Sequence, residues 1–204
     1  MRHALLVLAL VFGLSAQTTT LTPTGPATAT AGNSVTMTVS MTGSSGQSIA
    51  ALQWSTTLPA GFTFGTPVLA TGVPSGNVAY EGGAANTIIV AGSTTAMVDG
   101  TVLTVPVNIA STAATGTMSI PLTGIFAATT GGLFVNEMTA GAPYALKVFS
   151  PCDINQDGSV NVLDVQLVVA AILGTGTCSV PGGCNIVTVQ DVVIAALGGS
   201  CKVP

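Results

Sequence analysis

Twelve residues near the C-terminus, Asp153 to Asp164, constrain this chain more than any other stretch. Their oxygen-bearing side chains fall at positions 1, 3, 5, 9 and 12, as Asp153, Asn155, Asp157, Asn161 and Asp164. Gly158 stands at position 6, where a sharp turn needs φ > 0. A hard cation takes about six to eight oxygens, and alternate residues of a tight loop turn theirs inward. The backbone carbonyl of Ser159 supplies position 7, and Asp164 at position 12 opens the helix that follows. This is the ligand spacing of an EF-hand-type calcium loop. The chain has only seven Asp and Glu in 204 residues, and three of them stand here. The spacing predicts one calcium ion held by Asp153, Asn155, Asp157, Ser159, Asn161 and Asp164.

The segment after the loop repeats. Residues 162–174 read as a helix closed by Gly174, and a shift of 24 residues returns the pattern at 186–198. Asn161 maps onto Asn185, Val165 onto Val189, Gln166 onto Gln190 and Leu173 onto Leu197. The loops differ where the chemistry lies. Asp153, Asn155, Asp157 and Asp164 become Thr177, Ser179, Pro181 and Thr188, so every carboxylate is gone. Gly182 keeps the turn, and Cys178 and Cys184 bracket it. The reading is a second loop held by a Cys178–Cys184 disulfide, with calcium confined to the first loop. Either device removes loop entropy. Internal symmetry places the end of the second helix beside the first loop, which favours Cys152–Cys201. The other two pairings stay open.

Charged residues make up 5% of the chain, against about a quarter in ordinary domains. Arg2, Lys147 and Lys202 are the only basic residues besides His3, so no positive patch for nucleic acid can form. Residues 1–16 have the layout of a signal peptide: Arg2 and His3, an apolar run from Ala4 to Leu14, then small Ser15 and Ala16. No later apolar run reaches the ~18 residues of a membrane span. The expectation is a protein secreted or displayed at the cell surface, with no membrane span after signal removal. Four cysteines without a C-x-x-C pair fit two disulfides in such a compartment better than zinc.

From Gln17 to Phe149 the rhythm is β. Val35, Met37, Val39 and Met41 alternate with Thr and Ser, and Leu52, Trp54 and Thr56 continue the period of two. Ile88–Val90, Val102–Ile109, Met118–Leu122 and Tyr144–Val148 are further strand candidates, separated by Gly, Pro and Asn clusters. About nine strands with no helix between them predict a β-sandwich. Trp54 is its largest core piece, and Tyr80 and Tyr144 are expected to be half-buried. Glu81 and Glu137 are the carboxylates that a glycosidase would have to pair. A Ser-His-Asp hydrolase is excluded once the leader carrying His3 is removed.

On these motifs, residues 152–201 resemble a type I dockerin module. The matching features are the Asp153 to Asp164 loop with Asp last, the helix after it, and the repeat. Pro151 stands where an EF-hand would have its entering helix. Residues 18–149 look like a cohesin module, through the Val35-Thr-Met-Thr-Val39 strand, Leu52-Gln53-Trp54, and Ile89-Val90-Ala91-Gly92 followed by Gly100-Thr101-Val102-Leu103. The resemblance implies a mainly β fold: a jelly-roll-like, cohesin- or carbohydrate-binding-module-like β-sandwich over 17–149, and a small α-helical calcium module over 150–204. It also implies a non-catalytic, calcium-dependent assembly module, linked to extracellular polysaccharide binding or degradation. Its partner is a cohesin or dockerin module of another chain, or a second copy of itself. Dockerins recognise their partners with helix residues just after the loop, here Val162 and Leu163 with Ile186 and Val187 as symmetry mates. The alternative is a carbohydrate-binding sandwich with the calcium module as a cap.

Overall fold

The computed structural model describes residues 18–83, 86–180 and 182–202. The signal peptide expected at 1–16 lies outside the described residues. The described residues form three sheets. One runs β12 (Met138–Ala140), β1 (Thr19–Thr24), β3 (Ser34–Thr42), β9 (Gly100–Ile109) and β5 (Phe62–Phe64), with β6 (Val68–Leu69) also paired to β9. A second runs β11 (Leu122–Thr129), β4 (Ile49–Thr56), β8 (Thr87–Ala91) and β7 (Val78–Gly82). The third is β10 (Gly116–Ile120), β13 (Tyr144–Phe149) and β2 (Thr28–Thr30).

The period of two decides what these strands bury. Met37, Val39 and Met41 of β3 and Leu103, Val105 and Val107 of β9 point into one core, together with Leu52 and Trp54 of β4, Ile88 and Val90 of β8, and Leu146 and Val148 of β13. Each such side chain contributes about 1.5–3 kcal/mol when fully buried. All three sheets feed this core, which makes the architecture a β-sandwich.

The described residues hold thirteen strands rather than about nine. The extra ones include two- and three-residue pieces, β2, β5, β6 and β12, too short to show a period. The candidate Met118–Leu122 divides at Pro121, which cannot donate to a ladder, into β10 and β11. The two tyrosines also depart from expectation. Tyr144 is buried and donates to the Pro26 carbonyl at 2.7 Å. Tyr80 is 64% exposed, because it stands on the outer side of the edge strand β7. Trp54 is fully buried, a core piece with no face left for a ligand.

Asp99 ties the segment between β8 and β9 to the turn after β3. Its carboxylate accepts from the Gly43 N–H at 2.9 Å and the Ser44 N–H at 2.8 Å. Hydrogen bonds from Ser44, then from Gly43, hold its carboxyl below the ordinary carboxylate value. A depressed folded value means that the stabilisation is present above the unfolded pKa and fades as pH falls through the folded one. At pH 7 Asp99→Asn is therefore less stable than the wild type. Denaturant melts should show that gap closing as the pH drops below about 4.

A second, separate core begins at Cys152. It gathers Cys152, Val168, Val180 and Val192, with Ile154, Val160, Val165, Val189 and Ala195 around them. Helices α1 (Val162–Ile172) and α2 (Ile186–Ala196) are eleven residues each and 24 positions apart. Each starts on an asparagine, Asn161 or Asn185, whose side chain accepts a backbone N–H of the first turn. Each is followed by a left-handed glycine, Gly174 at φ 73° and Gly198 at φ 89°. The buried pairs Asp164/Thr188 and Val168/Val192 obey the same shift. The cysteines form Cys152–Cys201 and Cys178–Cys184. Pro151 and Cys152 are buried, and the Asp153 N–H bonds the Ser150 carbonyl at 3.0 Å, so the junction with β13 has no slack. Among the described residues no helix is long and apolar enough to cross a membrane.

Candidate metal centre and partner surfaces

The first loop winds around carboxylates that are held from outside. Gly158, at φ 102°, donates its N–H to one Asp153 oxygen at 2.9 Å, and the Asp157 N–H reaches the other at 3.2 Å. Asp164 accepts from Ile154 at 2.8 Å and Asn155 at 3.2 Å through one oxygen, and from Asn161 at 2.8 Å through the other. Asp157 accepts from Ser159 at 2.8 Å and from the Asn155 side-chain amide at 2.9 Å. Backbone N–H groups thus fix the orientation of each carboxylate.

Burial gives the arrangement its chemistry. Asp153 is 4% exposed and Asp164 is fully buried. Burial pushes the Asp153 carboxyl up, and the charges of Asp164 and Asp157 push the same way, against the Gly158 and Asp157 N–H bonds. Carboxylates buried close together are expensive until a cation joins them. Among the described residues no three His, Cys, Asp or Glu side chains form a metal cluster by themselves. The oxygens on offer are mixed instead: the Asp153, Asp157 and Asp164 carboxylates, the Asn155 amide and the Ser159 carbonyl. That donor set fits a hard cation that prefers oxygen. Asn161 spends its side-chain oxygen on the Leu163 N–H at 2.8 Å as the cap of α1. Position 9 of such loops often acts through water, which leaves that cap intact.

The second loop shows what remains when the carboxylates go. The Thr188 hydroxyl accepts from the Asn185 N–H at 3.3 Å, the bond that Asp164 makes to Asn161, and donates to the Gly183 carbonyl at 3.0 Å. Asp164 is therefore both helix cap and candidate ligand, while Thr188 is a cap alone.

The residues expected to meet a partner are exposed, not core. Val162 and Leu163 are 64% and 51% exposed, and Ile186 and Val187 are 70% and 55%. They do not form one patch. The start of α1 lies against the end of α2, where Val162 and Val165 share an apolar cleft of about 280 Å³ with Val193, Ala196 and Leu197. The antiparallel pair holds its two symmetry-related surfaces at opposite ends.

A surface that sequence reasoning missed lies on the sandwich. In the four-stranded sheet Phe126 pairs with Gln53, Gln53 with Ile89, and Ile89 with Tyr80. These four share the face opposite Leu52 and Val90, and the outermost, Phe126 and Tyr80, are more than half exposed. The available signal was Ile88-Ile89-Val90, three consecutive apolar residues of which the middle one must face outward. Glu81 is on β7, an edge of the four-stranded sheet, while the Glu137 carbonyl accepts from the Thr19 N–H just before β12, an edge of the six-stranded sheet.

No family model and no curated protein sequence matches the chain. Solved structures do. One is a chain of a complex between CaDoc0917, carrying a point substitution, and CaCohA2, at 16% identity and TM-score 0.52, over 64% of this chain and 99% of that one. A second is the solution structure of CaCohA2 from Clostridium acetobutylicum, at 14% identity and TM-score 0.50, over 65% and 91%. A third is the cohesin module of a family 33 glycoside hydrolase from Clostridium perfringens, at 9% identity and TM-score 0.54, over 65% and 97%. At such identities the likeness is one of fold, and the fold of the sandwich is cohesin-like.

Proposed function

We propose that this protein is an exported, non-catalytic assembly module whose docking element is ordered by one calcium ion. The ion is held in the first loop by Asp153, Asn155, Asp157, Ser159 and Asp164, with Asn161 acting through water. The helical unit is then dockerin-like, and it follows a sandwich of cohesin-like fold. The observation that carries the reading is the pair of buried carboxylates, Asp153 and Asp164, gathered with Asp157 in one loop of a chain that is otherwise nearly free of charge.

Calcium does two things through these residues. It removes the repulsion inside the loop, which fixes the start of α1. It also discharges the surface around the apolar helix ends. Residues 152–202 carry Asp153, Asp157, Asp164 and Asp191 against Lys202, which is four minus one, or three net negative charges. A divalent ion leaves one. A nearly neutral apolar surface is what a protein partner buries most readily. The fold supports the same class of function, since one neighbour was solved in a complex of two modules.

Hydrogen exchange on the full chain, with calcium and with chelator, tests the proposal. Amides of α1 and α2 should exchange at least about tenfold more slowly with calcium, while the strands of the sandwich core stay unchanged. Equal rates in both conditions would refute it.

A further inference from the structure

We infer that Lys147 sets the affinity of the first loop for its ion: the ammonium offsets part of the carboxylate charge of the metal-free loop and opposes the ion when it enters. The inference rests on the calcium reading above. Lys147 is the one basic residue in the sandwich segment, residues 17–149. It stands on β13, the middle strand of its sheet, paired with Thr117 of β10 and Thr28 of β2. Its own N–H donates to the Ala27 carbonyl at 2.9 Å, so the backbone beneath the side chain is fixed.

The side chain leaves the sandwich and ends against the loop. Its Nζ is 4.5 Å from the centre of the Phe149 ring, within the range where a cation is attracted to an aromatic face. The same Nζ is 4.0 Å from the point where a side chain on Gly158 would begin. Gly158 is the turn residue whose N–H holds Asp153. Lys147 and Phe149 share a cleft of about 210 Å³ with Asp153, Gly158 and Val160. Phe149 lies on the outer side of β13 with Ala145 and Lys147, yet it is 5% exposed, since the junction with the loop covers it.

Charge decides what this placement does. Asp153, Asp157 and Asp164 give the metal-free loop three negative charges, and Lys147 offsets one of them. A divalent ion meets the same ammonium as a like charge. Repulsion between a unit charge and a divalent ion about 8–10 Å apart in watery surroundings amounts to roughly a fivefold loss of affinity. By reciprocity the ion weakens the lysine's hold on the loop by the same factor. The junction is therefore tighter without the ion than with it, and the sandwich senses whether the loop is filled.

Calcium titration calorimetry on the full chain, at about 20 mM and about 500 mM monovalent salt, reads the outcome. At low salt Lys147→Gln should bind calcium about fivefold more tightly than the wild type, while Lys147→Arg, which keeps the charge, should match the wild type. The gain should shrink below about twofold at high salt, where exposed charges are screened. It should be larger for lanthanum, a trivalent ion that also seeks oxygen, because repulsion scales with ionic charge. Position 147 is exposed, so glutamine leaves both cores untouched. A lysine that only fastened the helical unit in place would give equal or weaker uptake in Lys147→Gln, insensitive to salt and to ionic charge. That result overturns the inference and leaves the calcium reading standing. A wild type that takes up no ion overturns both.

Discussion

Asp164→Thr should leave α1 capped and abolish calcium uptake, whereas Asp164→Ala should lose both. The second repeat supplies the reason. There a threonine holds the cap through the bond from Asn185 at 3.3 Å, without a carboxylate. In the first repeat the carboxylate also accepts from Ile154 and Asn155. Alanine strands all three donors, at about 1–3 kcal/mol for each one left buried without a partner. Threonine recovers the Asn161 bond and strands two. The small core around Val168 and Val192 has little stability to spare, so Asp164→Ala should melt the helical unit at room temperature with or without calcium. Asp164→Thr should keep its helices but lose the increment that calcium gives the wild type, about 2.7 kcal/mol when free calcium is a hundredfold above its dissociation constant. Thermal melts followed by far-ultraviolet circular dichroism, in calcium and in chelator, separate the two variants.

Replacing Cys152 and Cys201 together by serine should unfold the helical unit while the sandwich survives. The bridge closes a span of 49 residues, and the chain-entropy relation assigns such a closure about 4 kcal/mol. The Cys178–Cys184 bridge spans only 6, for which the same relation gives about 2.2 kcal/mol. Cys152 is also fully buried in the small core, so serine leaves a hydroxyl there. Calorimetry should show the low-temperature transition lost and the sandwich transition retained. The Cys178→Ser, Cys184→Ser variant should lower the first transition without removing it.

The parts of this molecule that sequence discloses are local ones. The calcium-loop spacing, the asparagine caps and the glycine stops repeat within 24 residues, and the physics that places them acts over one or two turns. The long strands β3, β4 and β9 are legible for the same reason, because one face of each is continuously apolar. Short strands are not: β5 and β6 are held by pairing to β9 rather than by their own composition. The sheet row is less legible still. Phe126, Gln53, Ile89 and Tyr80 come from four strands, and nothing but register brings them together. Tyr80 looks half-buried by type and is exposed because β7 is an edge. The separation of Val162 and Leu163 from Ile186 and Val187 is likewise set by antiparallel packing, which the repeat alone does not specify.

Calcium titration calorimetry on the full chain tests the central claim most directly. One ion bound per chain, with the heat absent in Asp164→Thr, is the predicted result. No binding, two ions per chain, or unchanged uptake in that variant would contradict it.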